Sequence, residues 1–324
     1  MSVQPAALLA ALSPHAAVSG SALARELGVT RAAVWKQIEA LRDLGAPIEA
    51  VAGRGYRLGW PFEPLDVKAI RAGLDVATRR RLGDLTVCWQ IDSTSSELLR
   101  QASAGAADLS ICVAEMQSGG RGRRGRAWRS PLCGNVYFSV LRRFTQGMAA
   151  LSGLSLVAGL AVSAALRECG VDAALLKWPN DVLIDGRKVA GVLVELGGEF
   201  LGPCFAVIGI GINLRLPANA RIDQPHIDLA SVCAGQTPSR SRLLSALIRQ
   251  LVGALDRFST QGFADFRADY AQHDALAGRP VRVQAGGQIH DGVAGGVDVR
   301  GALRVRHGDA VATYDSAEVT VRGA

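Results

Sequence analysis

At 324 residues, 49 % hydrophobic and 20 % charged, the chain can bury the cores of two or three domains, which excludes global disorder. A net charge of +7 implies an anionic partner without choosing among nucleic acid, nucleotide and acidic protein. The cysteines (Cys88, Cys112, Cys133, Cys169, Cys204 and Cys233) include no C-x-x-C pair and no zinc-ligand spacing, so they read as reduced core residues of a cytoplasmic protein with no tightly bound structural metal.

Residues 1–62 predict a small helical unit with a wing. A short apolar helix covers Pro5 to Leu12. A second helix over Ser19 to Leu27 ends at Gly28, which suits a positive φ. Thr30 then caps a helix over Arg31 to Leu44, whose Val34, Ile38 and Leu41 form one apolar stripe. Ile48–Val51 and Gly55–Leu58 flank Ala52-Gly53-Arg54 as a hairpin with Arg54 at its tip. Helix, turn, helix and wing in that order predict DNA binding, with the second helix free to enter a major groove. Candidate contacts are Gly20, Ser21, Thr30, Arg31, Ala32, Trp35, Lys36, Gln37 and Arg54. The same pattern also fits a dimerisation or docking unit.

Pro61-Phe62-Glu63-Pro64 reads as a linker into a second unit over 63–275. Strands are expected at Leu85–Ile91, Ser110–Met116, Val136–Leu141, Ala174–Trp178, Val182–Ile184, Gly191–Leu196 and Phe205–Ile212. Helices are expected at Ser96–Ala102, over 148–168, and at Arg242–Thr260 and Phe263–His273. Met148 to Leu166 holds nineteen residues without a charge, close to the ~20 that span a bilayer. Its Ala, Ser and Gly content and its close flanking charges favour a buried helix, so no membrane contact is expected. Successive hairpins with few crossovers predict an α+β fold with a mixed sheet. From 276 to 324, short strands at Val281–Val283, Ile289–Val293, Val297–Val299, Leu303–Val305 and Val319–Val321 predict a small SH3-like β barrel.

The run Gly119-Gly120-Arg121-Gly122-Arg123-Arg124-Gly125-Arg126-Ala127-Trp128 carries the strongest chemical signal. Glycines let the backbone approach a ligand, arginine forks match phosphate and carboxylate, and Trp128 offers a face for a ring. A solvated basic loop or a nucleic-acid-binding arginine–glycine segment has the same composition. Only four of the 36 Lys and Arg residues are Lys, which singles out Lys177 and Lys188 as positions where a compact ammonium is used. Lys177-Trp178-Pro179-Asn180-Asp181 sets a Lys, an amide and a carboxylate around a rigid turn. Asp92-Ser93-Thr94-Ser95 ends a strand and caps a helix, offering hydroxyls to a polar ligand. Asn213 closes the glycine-rich Gly209-Ile210-Gly211-Ile212 run.

Taken together, DSTSSELL, GGRGRRGRAW, KWPNDV, RKVAGVLVE and GIGIN resemble the catalytic domain of biotin–protein ligases. With the helix-turn-helix, the AGRGY wing and the terminal strands, the resemblance extends over nearly the whole chain to the bifunctional ligases that also repress the biotin operon. It implies synthesis of biotinyl-5′-AMP from biotin and MgATP, then transfer of biotin to a lysine of a biotin carboxyl carrier protein. It implies biotin contacts from Ser93, Thr94, Ser95, Gln117, Arg121, Gly122, Arg123 and Lys177. Adenylate contacts follow from Arg121, Arg123, Arg124, Trp128, Asn180, Lys188 and Asn213, with Lys177 and Arg121 as the catalytic pair and no metal ligand assigned. It further implies biotinyl-5′-AMP as corepressor, a homodimer when adenylate is bound, and operator DNA as partner. Ser95 departs from the family pattern, in which Asn follows Ser-Thr. A biotin-sensing regulator without turnover and a lipoate ligase are the competing readings.

Overall fold

The computed structural model describes residues 4–217, 222–234, 236–315 and 317–321. At its N-terminus α1 (Pro5–Ala11), α2 (Gly20–Glu26) and α3 (Arg31–Asp43) precede the antiparallel hairpin β1 (Ile48–Val51) and β2 (Gly55–Leu58). Ser19 Oγ accepts the Ala22 N–H at 3.1 Å and Thr30 Oγ1 accepts the Ala33 N–H at 3.2 Å, so both turn-flanking helices start on a side-chain cap. Val34, Ile38 and Leu41 are fully buried against Leu8, Leu9 and Leu23, as their spacing predicts. Leu132 and Cys133, distant in sequence, complete this core. The segment after the Gly/Arg run therefore packs into the winged helix.

Two helices that the sequence reading omitted follow: α4 (Val67–Ala72) and α5 (Val76–Arg81), each started by an Asp cap. Then come β3 (Leu85–Ile91), α6 (Thr94–Ser103), β4 (Ile111–Gln117), β5 (Val136–Phe144), α7 (Leu154–Glu168), β6 (Leu175–Lys177), β7 (Asp181–Ile184), β8 (Arg187–Gly198) and β9 (Cys204–Ile212). These strands form one seven-stranded sheet in the order β3-β4-β5-β9-β8-β7-β6. Only β3–β4 is parallel, which is the mixed sheet expected. α8 (Leu229–Val232), α9 (Arg240–Gln261) and α10 (Arg267–His273) follow. Strand alternation divides the layers: Cys112, Leu141 and Val207 face α6, whereas Val113, Val140 and Ile208 face the core built with α7 and α9.

The helix expected over 148–168 is interrupted. Met148–Leu151 is a 3₁₀ turn and Gly153 takes a left-handed φ of 80° before α7 begins. A side chain at Gly153 would strike the Phe263 ring, so the break lets the chain close onto that ring. α7 is apolar but packed within the core, and no helix among the described residues is long and apolar enough to cross a membrane.

The last segment contains β10 (Pro280–Ala285), β11 (Gln288–Val297), β12 (Leu303–His307), β13 (Ala310–Tyr314) and β14 (Glu318–Val321), an antiparallel sheet in the order β13-β12-β11-β10-β14. The strand expected at Val297–Val299 is instead the end of β11. Asp298 Oδ1 then accepts the Arg300 and Ala302 N–H groups and turns the chain. Val281, Val283, Leu303 and Val305 join the same core as the central sheet.

A buried charge cluster anchors the linker. Arg240, 2 % exposed, meets Glu115, 3 % exposed, at 2.6 Å. Arg240 also donates to the Glu63 carbonyl, its backbone N–H reaches Glu63 Oε2 at 2.9 Å, and Glu115 Oε1 accepts the Leu65 N–H at 2.7 Å.

Candidate active site

The ends of β3, β4, β6 and β9 and the start of β8 open on one cavity of about 830 Å³. Every ligase residue expected from the sequence lines it: Ser93, Thr94, Ser95, Gln117, Arg121, Gly122, Arg123, Arg124, Trp128, Lys177, Asn180, Lys188 and Asn213.

One end of the cavity is a hydroxyl cluster. Ser93 is spent partly as the cap of α6, accepting the Ser96 N–H at 3.4 Å. Thr94 and Ser95 occupy the first turn of that helix and are buried. Their hydroxyls converge on Ser139 of β5, at 2.7 and 3.0 Å. Gln117 Oε1 accepts from the Thr94 backbone N–H at 2.9 Å and its hydroxyl at 3.1 Å, and Gln117 Nε2 donates to Ser130 Oγ at 3.0 Å. Ser139 was not foreseen. Its signal was a hydroxyl inside the apolar run Val136–Leu141, since a buried polar group requires a partner.

The floor is made of glycine. A Cβ at Gly209 would strike Ser95 Oγ, and one at Gly211 would strike the Trp128 indole. Trp128 also lies against Gly191, its Nε1 is buried without a hydrogen-bond partner among the described residues, and Lys188 Nζ sits 5.3 Å from its ring centroid. Lys188 pairs with Asp181 at 2.7 Å. Asn180 Nδ2 donates to the Val192 carbonyl at 2.7 Å. Asn213 is buried, and its amide nitrogen faces the Lys188 and Ile227 carbonyls at 3.4 and 3.3 Å, so that group serves the wall.

The Gly/Arg run is a hydrogen-bonded turn. Gly122 N–H donates to the Arg126 carbonyl at 2.6 Å and Trp128 N–H to the Gly120 carbonyl at 2.9 Å. Arg124 and Gly125 take left-handed φ values of 56° and 74° at its tip. Arg121 reaches across the mouth to Glu195 of β8 at 2.8 Å. Beside the mouth, two hydrogen bonds from Arg100, at 2.9 and 3.0 Å, hold the Asp92 carboxyl at a pKa of about 2. Glu195, residues Ile222–His226, and Ala317 and Val319 of the C-terminal segment carry no site role in the sequence reading. Only the fold brings these residues to the same site.

On the winged helix, Ser21, Thr30, Arg31, Ala32, Trp35, Lys36 and Arg54 are exposed, while Gly20 and Gln37 are half-buried. The Thr30 hydroxyl is engaged as the α3 cap.

Residues 87–213 match the model of the Biotin/lipoate A/B protein ligase family, and residues 6–57 match an HTH domain. The chain is 38 % identical to the bifunctional ligase/repressor BirA of Escherichia coli (strain K12), over 99 % of this chain and 98 % of that one. It is 29 % identical to the protein of the same name from Bacillus subtilis (strain 168), over 93 % of each. The biotin protein ligase from Aquifex aeolicus in complex with biotin and ATP superposes with a TM-score of 0.63 at 28 % identity, over 74 % of this chain and 99 % of that one.

Proposed function

The chain belongs to the biotin protein ligases of the bifunctional ligase/repressor type, and on that premise we propose how its own residues divide the work. The protein is an ATP-dependent biotin–protein ligase with an N-terminal repressor module. In the first step a biotin carboxylate oxygen bonds to the α-phosphorus of ATP and the bond to diphosphate breaks. In the second, a lysine amine of the acceptor attacks the anhydride carbonyl and AMP leaves. The enzyme supplies no nucleophile. It must bring two anions together and offset the charge that develops between them.

The observation that carries the assignment of roles is the convergence of a neutral hydroxyl cluster and a cationic end in one cavity. Ser93, Thr94, Ser95 and Gln117 hold the biotin head group, with Ser139 orienting the Thr94 and Ser95 hydroxyls. Arg121, Gly122 and Arg123 cover the joint between biotin and nucleotide. Lys177, at the end of β6, faces the carboxylate and the bridging phosphate. Trp128 encloses the adenine, with Arg124, Lys188 and Asn180 along the phosphates. Asn213 supports the wall through its amide nitrogen.

The acceptor is a biotin carboxyl carrier protein. Biotinyl-5′-AMP is the corepressor, and the adenylate-bound protein binds operator DNA as a homodimer through Gly20, Ser21, Thr30, Arg31, Ala32, Trp35, Lys36, Gln37 and Arg54. We divide the chain at 1–62, 63–275 and 276–324; support comes from the Glu63 and Leu65 anchors, which begin the ligase core. Six free cysteines support a cytoplasmic location.

The test is transfer of labelled biotin to a purified apo-carrier domain with MgATP, comparing wild type with Lys177→Ala. Loss of one charge-stabilising group lowers turnover by about 10²–10³-fold. Undiminished transfer by Lys177→Ala would remove that residue from the chemistry.

A further inference from the structure

We propose that Ala32 and Trp35 form a thymine-methyl reader on α3, an assignment that rests on the repressor reading above. Trp35 is 57 % exposed, although its helix neighbours Val34 and Ile38 are fully buried. Ala32 lies one turn earlier on the same outward face and is exposed as well. Gly20, Arg31 and Tyr56 wall the hollow in front of the two residues, and a Cβ on Gly20 would lie 3.6 Å from both Arg31 and Tyr56. The apolar hollow is thus bounded by a cation and by a tyrosine of the wing strand β2.

Charge selects the occupant. Arg31 to Gln37 contains no acidic residue, Glu39 one turn on is paired with Arg42 at 2.8 Å, Arg31 lines the hollow with the indole, and Lys36 and, at the wing tip, Arg54 are exposed. A hollow that is apolar within and cationic at its edges suits a polyanion presenting an apolar group. In the major groove that group is the thymine 5-methyl, and Arg31 beside it matches the O6/N7 edge of guanine. The N-terminal part of a recognition helix is the part that reaches base edges.

The experiment uses the full-length protein with biotin and MgATP to select duplexes from a random DNA library. Each thymine of the selected half-site is then replaced by deoxyuridine, which removes only the methyl. One position is expected where uracil weakens binding about fourfold, the worth of one buried methyl. Trp35→Ala is expected to erase that difference, and Trp35→Phe to retain most of it. Thermal unfolding of each variant checks that it is folded. A half-site without an invariant thymine, a neutral uracil at every position, or a penalty unchanged in Trp35→Ala would overturn the assignment. Retention of no DNA by the wild type would overturn the repressor reading instead, and the methyl reader with it.

Discussion

Arg121 Nη2 and Glu195 Oε2 lie 2.8 Å apart, tying the first arginine of the Gly/Arg turn to strand β8. Their side chains are 41 % and 23 % exposed, so the pair contributes at most about 1 kcal/mol. A ligand carboxylate or phosphate competes for the same guanidinium. Glu195→Gln removes the competitor, and KM for biotin and for ATP is expected to fall by up to about fivefold with little change in kcat. The gap should narrow as salt is raised. Steady-state transfer assays at two ionic strengths measure this. A rise in KM would make Glu195 a support of the turn, not a competitor.

Gly209 and Gly211 separate the two ends of the cavity. A methyl at Gly209 meets Ser95 Oγ, and one at Gly211 meets the Trp128 ring. Overpacking of this kind costs roughly 1–3 kcal/mol, or about five- to 150-fold in affinity. Gly209→Ala is therefore expected to raise KM for biotin, and Gly211→Ala to raise KM for ATP. Equal effects of both variants on both substrates would show that the two subsites are not separate.

Most of the candidate cavity's lining was legible in the sequence because its residues sit in short runs with distinctive chemistry: an Arg/Gly turn, a Lys before a Pro turn, hydroxyls at a helix start. What escaped were single residues whose meaning depends on pairing across the sheet. Ser139 gains its role only when β5 is set beneath α6, and Glu195 only when β8 passes opposite Arg121. The break at Gly153 was missed for a related reason. Apolar composition favours a continuous helix, and it is contact with Phe263 that fixes the left-handed turn. The helices α4 and α5 are six residues each on Asp caps, too short for periodicity to register.

Glu115 and Arg240 form a pair enclosed on every side, and Glu63 joins it from the linker. Removing one partner strands a buried charge, so Glu115→Ala is expected to cost about 3–5 kcal/mol of unfolding free energy. Because Leu65 N–H also loses its acceptor, the linker should loosen in the same variant. Denaturant titration gives the first quantity, and proteolysis near residue 63 reports the second. A loss below about 1 kcal/mol would mean that water reaches the cluster.

Burial of Asp274 is expected to couple stability to pH beside Lys177. The segment lies along β6, with Ala275 N–H donating to the Leu176 carbonyl at 2.8 Å, one residue before Lys177. Asp274 Oδ1 accepts the Leu276 N–H at 2.8 Å and the Tyr270 hydroxyl at 3.4 Å, while Oδ2 is buried with no hydrogen-bond partner among the described residues. Burial raises the carboxyl above its ordinary value of 3.8. The folded protein thus holds this proton more tightly than the unfolded chain does. Its contribution is fully present below the unfolded pKa and is lost as pH rises through the raised one. Asp274→Asn removes the titration. The variant's Tm relative to wild type is expected to increase from about pH 4 upward and to level off once the wild-type carboxyl is ionised. Thermal scans at several pH values decide the matter: a difference that is flat or shrinks with pH would place the buried group's cost elsewhere.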